Sequence, residues 1–306
     1  MRILVVGAGA TGGYFGARLA QAGRDVTFLV RERRYLQLQQ HGLVLKTPDG
    51  REVIQPQLAQ AGTLCGHFDL IILTVKSFGL QQAMEDIAPA VGPDTLIMPI
   101  LNGMRHTDTL RARFGEKVIG GLCKINATLG ENGEVEQMTP LHILYYGALD
   151  GNNDARLQRL DETLKVAQFD TVFTDNIISE LWEKWLLLST LGAVCCIARG
   201  NTQQVLNSQG GEALLQGIFA EVLAVISADG YQVRPAVTAK IYQTLNNPQM
   251  AMTSSMFRDL TQGYEIEADQ VIGDLLVRGA RNGVITPLLN AVCVNLQVYL
   301  VNRTAC

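Results

Sequence analysis

The chain has 306 residues, 47% of them hydrophobic and 18% charged, and its 25 Lys and Arg against 29 Asp and Glu give a net charge of −4. That length and balance predict a compact protein of two domains and exclude a disordered chain and a nucleic-acid partner. No uninterrupted apolar stretch approaches membrane-spanning length, the closest being 186–198, and glycine at position 7 breaks the N-terminal run, so neither a membrane partner nor a signal peptide is expected.

Residues 2–6 read as a short buried strand. Gly7, Ala8, Gly9, Ala10, Thr11 and Gly12 follow directly, then an Ala/Leu-rich helical pattern, then a β-like run over 25–30 that ends at Arg31. A lone GxGxxG is weak, because glycine turns are common; strand, glycine turn, helix and strand in this order point to dinucleotide binding. Gly7 permits the tight turn, Gly9 lets the backbone approach a pyrophosphate, and Gly12 lets helix pack on strand. The helix N-terminus then faces the phosphates. NAD-specific sites place Asp or Glu after the second strand to bond the ribose 2′-hydroxyl. Arg31 stands there instead, with Arg33 and Arg34 close behind. A guanidinium fork matches a 2′-phosphate, which predicts NADPH; the alternative is a solvated arginine cluster.

The alternation continues with a strand over 69–75, a helix over 80–90, a strand over 95–101 and a further strand over 117–121. It predicts a parallel, doubly wound sheet. Segments 43–46 and 51–54 flank Thr47-Pro48-Asp49-Gly50, a hairpin turn inserted in the nucleotide fold. A β-rich stretch over 123–149 turns at 130–133, and 155–168 reads as a helix. Beyond position 175 apolar periodicities lengthen, and helices are expected over 177–198, 209–230, 234–246, 248–260, 265–282 and 287–302. The expected architecture is an α/β Rossmann domain over 1–176 and an all-α substrate and catalytic domain over 177–306. Cysteines at 65, 123, 195, 196, 293 and 306 lack metal-ligand spacing and read as free thiols of a cytoplasmic protein, with no metal.

Several side chains suit chemistry. Lys184 sits in a strongly apolar helix, where desolvation disfavours its charged form and suits it to general acid work. The plainer alternative is an i,i+4 ion pair with Glu180. Lys76 closes the strand over 69–75 and Asn102 the strand over 95–101, at the edge where doubly wound folds bind ligands. Asn102-Gly103 is equally a common turn. Glu265, Glu267 and Asp269 alternate ahead of Gly273 and in isolation form a charged helix N-terminus.

Together GAGATGG, VTFLVR, TVKS, LNGM, ELWEKW, Ser254-Ser255-Met256 and Glu267-Ala268-Asp269 followed by Gly273 resemble the ketopantoate reductase family over nearly the whole chain. The resemblance implies NADPH-dependent reduction of a small-molecule 2-oxo acid in a cleft between a Rossmann domain and a helical domain, with ketopantoate as leading substrate. It implies that Lys184 protonates the carbonyl oxygen as hydride reaches C2, and that Glu267 holds the substrate hydroxyl. Asn102 is implied to contact substrate and lysine, and its place at the strand end also suits its amide to the nicotinamide ribose of the cofactor; Ser255 is implied to bind substrate and Lys76 to line the cofactor cleft. There is a departure: where such family members carry Asn one and two turns after the lysine, this chain has Leu188 and Gly192. A more apolar 2-oxo acid is therefore the second candidate, unless Ser189 or Thr190 compensates. A β-hydroxyacid dehydrogenase and a non-catalytic NADP(H)-binding sensor are the competing readings. The Ser-Ser-Met and Glu-Ala-Asp segments disfavour the first, and intact Lys184, Asn102 and Glu267 the second. The apolar helices of the second domain suit a homodimer and a monomer core alike.

Overall fold

The computed structural model describes residues 1–304, which form two compact units. Unit 1 comprises Met1–Leu101 with His106–Ile178; unit 2 comprises Asn102–Arg105 and the chain from Ser179 onward.

Unit 1 runs β1 (Arg2–Val6), α1 (Ala10–Gln21), β2 (Asp25–Leu29), α2 (Glu32–His41), β3 (Leu43–Thr47), β4 (Gly50–Ile54), β5 (Gln57–Ala59), β6 (Phe68–Leu73), α3 (Leu80–Ile87) and β7 (Val91–Pro99). It continues with α4 (Arg105–Phe114), β8 (Gly120–Leu129), β9 (Val135–Gly147), α5 (Ala155–Leu164) and β10 (Asp170–Phe173). Five strands form an all-parallel sheet in the order β5-β2-β1-β6-β7, a Rossmann-like arrangement. β1 is central, with Ile3 opposite Val26 on one side and Leu70 on the other. Its side chains alternate between two cores. Ile3 and Val5 pack with Tyr14, Phe15 and Leu19 of α1, while Leu4 and Val6 pack with Leu80 and Ile87 of α3. Burial on both faces is why the strand reads as one continuous apolar run.

The remaining strands form a second, mixed sheet in the order β10-β9-β3-β4, with β8 on β9. The hairpin over 43–54 thus belongs to this sheet and not to the nucleotide sheet, because β3 pairs with distant β9, Leu45 opposite Val135. The expected strand over 117–121 is also corrected. Residues 115–117 make a single 3₁₀ turn and Val118 bridges Ile97 alone, while β8 pairs antiparallel along β9. β6 and β7 end at Leu73 and Pro99, so Lys76 and Asn102 lie just past their strands.

Unit 2 is helical: α6 (Ile177–Ala198), α7 (Thr202–Leu206), α8 (Gly211–Ala228), α9 (Pro235–Leu245), α10 (Ser255–Thr261), α11 (Asp274–Arg281) and α12 (Pro287–Thr304). Local sequence explains several starts. Asn201 and Gln204 form a capping box at α7, and Pro235 occupies the first turn of α9. The helix expected over 248–260 begins only at Ser255, because the Ser254 hydroxyl caps it by accepting from Phe257 N at 3.0 Å. The helix expected over 265–282 is corrected too: after Gly263, at φ +74°, the chain is irregular through Glu267. It then makes a π-helical turn, Asp269–Gly273, before α11.

α6 and α8 are long and apolar enough to cross a membrane by length and composition, although the uninterrupted run within α6 is shorter. Of their apolar windows, 72% is buried within the protein in α6, as in a core helix, against 39% in α8. Among the described residues Cys65, Cys123, Cys195, Cys196 and Cys293 form no disulfide; Cys306 lies outside them. Burial pushes the Cys195 thiol up to about 11 and the Cys196 thiol to about 12, so both stay protonated and serve as packing.

Candidate functional site

In unit 1 the strand order reverses beside β1, and the segments leaving β1, β2 and β6 carry the residues expected at a nucleotide site. Gly7 has φ +94°, the left-handed region that favours glycine. A Cβ on Gly12 would overlap the Gly7 carbonyl oxygen and the Thr74 hydroxyl. That hydroxyl bridges the strands, donating to Val6 O at 2.9 Å and Gly7 O at 3.0 Å. Around Gly9 the space is open, with no atom within 4 Å of a built Cβ. Gly9 caps α1 without a side-chain bond. The N–H groups of the first turn, at Ala10, Thr11 and Gly12, lack intrahelical acceptors. The cradle therefore has room and donors for a phosphate.

Arg31 follows β2, caps α2 and is exposed. Its Nη2 lies 3.7 Å from a Cβ built on Gly79, so the side chain reaches the turn that follows β6. Lys76, exposed, caps the 3₁₀ turn Ser77–Gly79 there. Arg34, in the sequence one member of a basic cluster, makes the more telling contacts. Its Nε donates to Ala8 O at 3.1 Å and its Nη1 to Gln37 Oε1 at 2.7 Å. Its Nη2 is buried with no partner, and burial draws the guanidinium below its ordinary pKa. A buried guanidinium N–H without an acceptor beside a glycine loop is what an anion would complete.

In unit 2, Lys184 is half-buried on α6 between buried Glu183 and Trp185. Arg234 organises the acids near it, with Nε donating to Glu183 Oε1 and Nη2 to Glu180 Oε1, each at 2.6 Å. Trp185 Nε1 donates to Val271 O in the π-turn at 3.1 Å. From the same turn, Gln270 Nε2 donates to Asn102 O at 3.0 Å. Gly103 has φ +84°, and a Cβ there would stand 2.7 Å from Gln270 O. The Asn102 turn is thus seated on the π-turn, and Glu267, 8% exposed, lies three residues before Gln270. These bonds gather Asn102, the Glu267 segment and the Lys184 helix. Ser255 is apart from them, as the first residue of α10.

The face of α6 beyond Lys184 is apolar. Leu188 is half-buried, and Met256 Cε sits 2.9 Å from where a Gly192 Cβ would be. Neither expected substitute is available. Ser189 donates back to Trp185 O at 2.6 Å, and the Thr190 hydroxyl is fully buried without a partner. Among the described residues no group of three or more His, Cys, Asp or Glu could hold a metal ion.

Two family models match the chain: Ketopantoate reductase PanE/ApbA over residues 3–151, and its C-terminal counterpart over residues 176–299. The uncharacterized oxidoreductase YkpB of Bacillus subtilis (strain 168) is 34% identical over 300 residues, covering 98% of this chain and 99% of that protein. The crystal structure of 2-dehydropantoate 2-reductase from Geobacter metallireducens GS-15 superposes with a TM-score of 0.87 at 27% identity, covering 97% of this chain and 99% of that one. D-mandelate dehydrogenase in complex with NADH and anilino(oxo)acetate shares the fold, with a TM-score of 0.89 at 23% identity, covering 99% of this chain and 100% of that one.

Proposed function

The chain belongs to the ketopantoate reductase PanE/ApbA family, and on that premise we propose that it reduces a 2-oxo acid to the 2-hydroxy acid with NADPH. It is an oxidoreductase acting on CH–OH groups, in a family that uses a nicotinamide cofactor. The observation that carries the proposal is the cradle in unit 1: an open helix N-terminus at Gly9 beside the partnerless Nη2 of Arg34. Both features fit a dinucleotide phosphate. Arg31, exposed at the end of β2, supports NADPH, since its fork can pair with a 2′-phosphate.

When bound, the cofactor supplies the hydride. Residues 7–12 hold the pyrophosphate through their N–H groups, and Lys76 lines the nucleotide site. Lys184 Nζ carries the proton taken up by the carbonyl oxygen, and its positive charge stabilises the negative charge growing there. Asn102 orients the substrate through its carboxamide, Ser255 binds the substrate, and Glu267 accepts a hydrogen bond from the substrate hydroxyl.

2-Dehydropantoate, the substrate in the name of the Geobacter relative, is the reference substrate. A second reading, an oxo acid with a purely apolar side chain, is favoured by Leu188 and by Met256 over Gly192. The test follows NADPH oxidation with 2-dehydropantoate and with 3,3-dimethyl-2-oxobutanoate, which differ by one hydroxyl, in wild type and Lys184→Ala. Lys184→Ala is expected to lower turnover by roughly 10²–10⁴-fold while NADPH still binds. Turnover near wild type removes the lysine from its role. NADPH binding without reduction of any 2-oxo acid favours a sensor.

A further inference from the structure

We infer that Gln270 is a positioning residue: through Asn102 it sets the substrate-contacting carboxamide against the segment that carries Glu267. The inference rests on the role proposed for Asn102.

Asn102 and Gln270 are 168 positions apart, and one side chain joins them, Gln270 Nε2 donating to Asn102 O at 3.0 Å. Asn102 sits in a turn that leaves β7, with no helix or strand of its own to fix it. A turn of this kind is set by what it packs against. Here the packing surface is the π-turn, from which Gln270 contributes twice. Its carboxamide holds the Asn102 carbonyl, and its own carbonyl fills the space that the missing Gly103 side chain leaves.

The π-turn is itself held from two sides, by Trp185 Nε1 on Val271 O at 3.1 Å and by Gln297 Nε2 on Asp269 Oδ1 at 2.5 Å. Gln270 is 5% exposed, so its side chain has little freedom to relax. A π-turn departs from regular helix and is found most often at functional sites. In this chain it turns Gln270 toward Asn102 while Glu267 lies three residues upstream. Trp185, the anchor on α6, directly follows Lys184. One bonded chain therefore runs from the helix of the proposed proton donor, through the π-turn, to the turn of the proposed substrate amide. Displacing a group that orients substrate costs rate even when nothing that touches substrate is removed.

A double-mutant cycle tests this, using Asn102→Ala, Gln270→Leu, both together, and Trp185→Phe as a control that loosens the π-turn without removing the Asn102 bond. Kinetics with the better of the two oxo acids are read beside NADPH Kd and melting temperature. Gln270→Leu is expected to lower kcat about tenfold or more while NADPH Kd stays within about twofold. The double variant is expected to be no slower than Asn102→Ala alone, because Gln270 acts through Asn102. Trp185→Phe is expected to lower the melting temperature with a smaller loss of kcat. Additive losses in the double variant, or equal kcat losses for Gln270→Leu and Trp185→Phe, overturn the positioning role and leave the reductase reading intact. Wild-type kinetics in Asn102→Ala overturn the role of Asn102 itself, and this inference with it.

Discussion

The two units build their candidate chemistry from different material. In unit 1 the nucleotide cradle is mostly main chain: the N–H groups of α1, the carbonyls of Val6 and Gly7 tied by Thr74, and an open space at Gly9. In unit 2 the candidates are side chains on separate helices and turns, brought together by Trp185, Gln270 and Arg234. Main-chain donors are the same whatever the residue, so such a cradle depends on where side chains are absent. A side-chain site depends on which groups are present and on what holds them. The first is intolerant of added atoms, and the second can be retuned one residue at a time.

The largest effect is expected where an atom is added to the cradle. A Cβ at Gly12 meets a carbonyl oxygen and a hydroxyl that is itself engaged twice, so neither can yield cheaply. Gly12→Ala should weaken NADPH binding by more than about 100-fold, measured by fluorescence titration. Wild-type affinity would break the contrast between the units. Arg31→Ala comes next, as the side-chain exception within unit 1. A charge-assisted bond to phosphate supports a loss of roughly 10–100-fold for NADPH, against less than about threefold for NADH. Equal losses for the two cofactors would remove the 2′-phosphate from the picture. The smallest effect sharpens the contrast from the other side. Leu188→Asn should shift the ratio of kcat/KM toward 2-dehydropantoate over its deoxy analogue by about fivefold, with little change in total activity. The ratio is independent of how much protein is folded, and an unchanged ratio would place the substrate side chain elsewhere.

The same contrast explains which features could be read from the chain in advance. Gly7 answers to its own positive φ and Gly12 to the Gly7 carbonyl five positions back as well as to distant Thr74, so the local part of the cradle is visible as a spacing of glycines. β1 is visible because burial on both faces leaves four apolar side chains, Ile3 to Val6, in a row. The helices that begin at Pro235 and Pro287 are likewise marked locally. The hairpin over 43–54 is marked too, but its sheet is not, since that is decided by pairing with β9 some ninety positions away, Leu45 opposite Val135. Arg34 could be seen as one of a basic cluster, yet its bond to Ala8 appears only when α2 folds back on the glycine loop. Gln270 carried no signal at all, because its partner is the main chain of Asn102, and a carbonyl looks the same in every residue. The irregular run before the π-turn looks helical in sequence because its acids suit a helix start, although Gly263 follows directly on the end of the preceding helix.

The π-turn has a consequence for how this chain can change length. It holds one residue more per turn than the α-helix that continues it into α11. Deleting a single residue within Asp269–Gly273 would let α11 extend upstream as regular helix, with its own hydrogen bonds intact. The wide turn already absorbs that residue, so the segments before and after the deletion would keep nearly their present directions. Glu267 would stay on its present side, while the bulge that turns Gln270 toward Asn102 would be gone. The protein would fold and keep every group proposed to touch substrate, and would have lost the contact that seats the Asn102 turn.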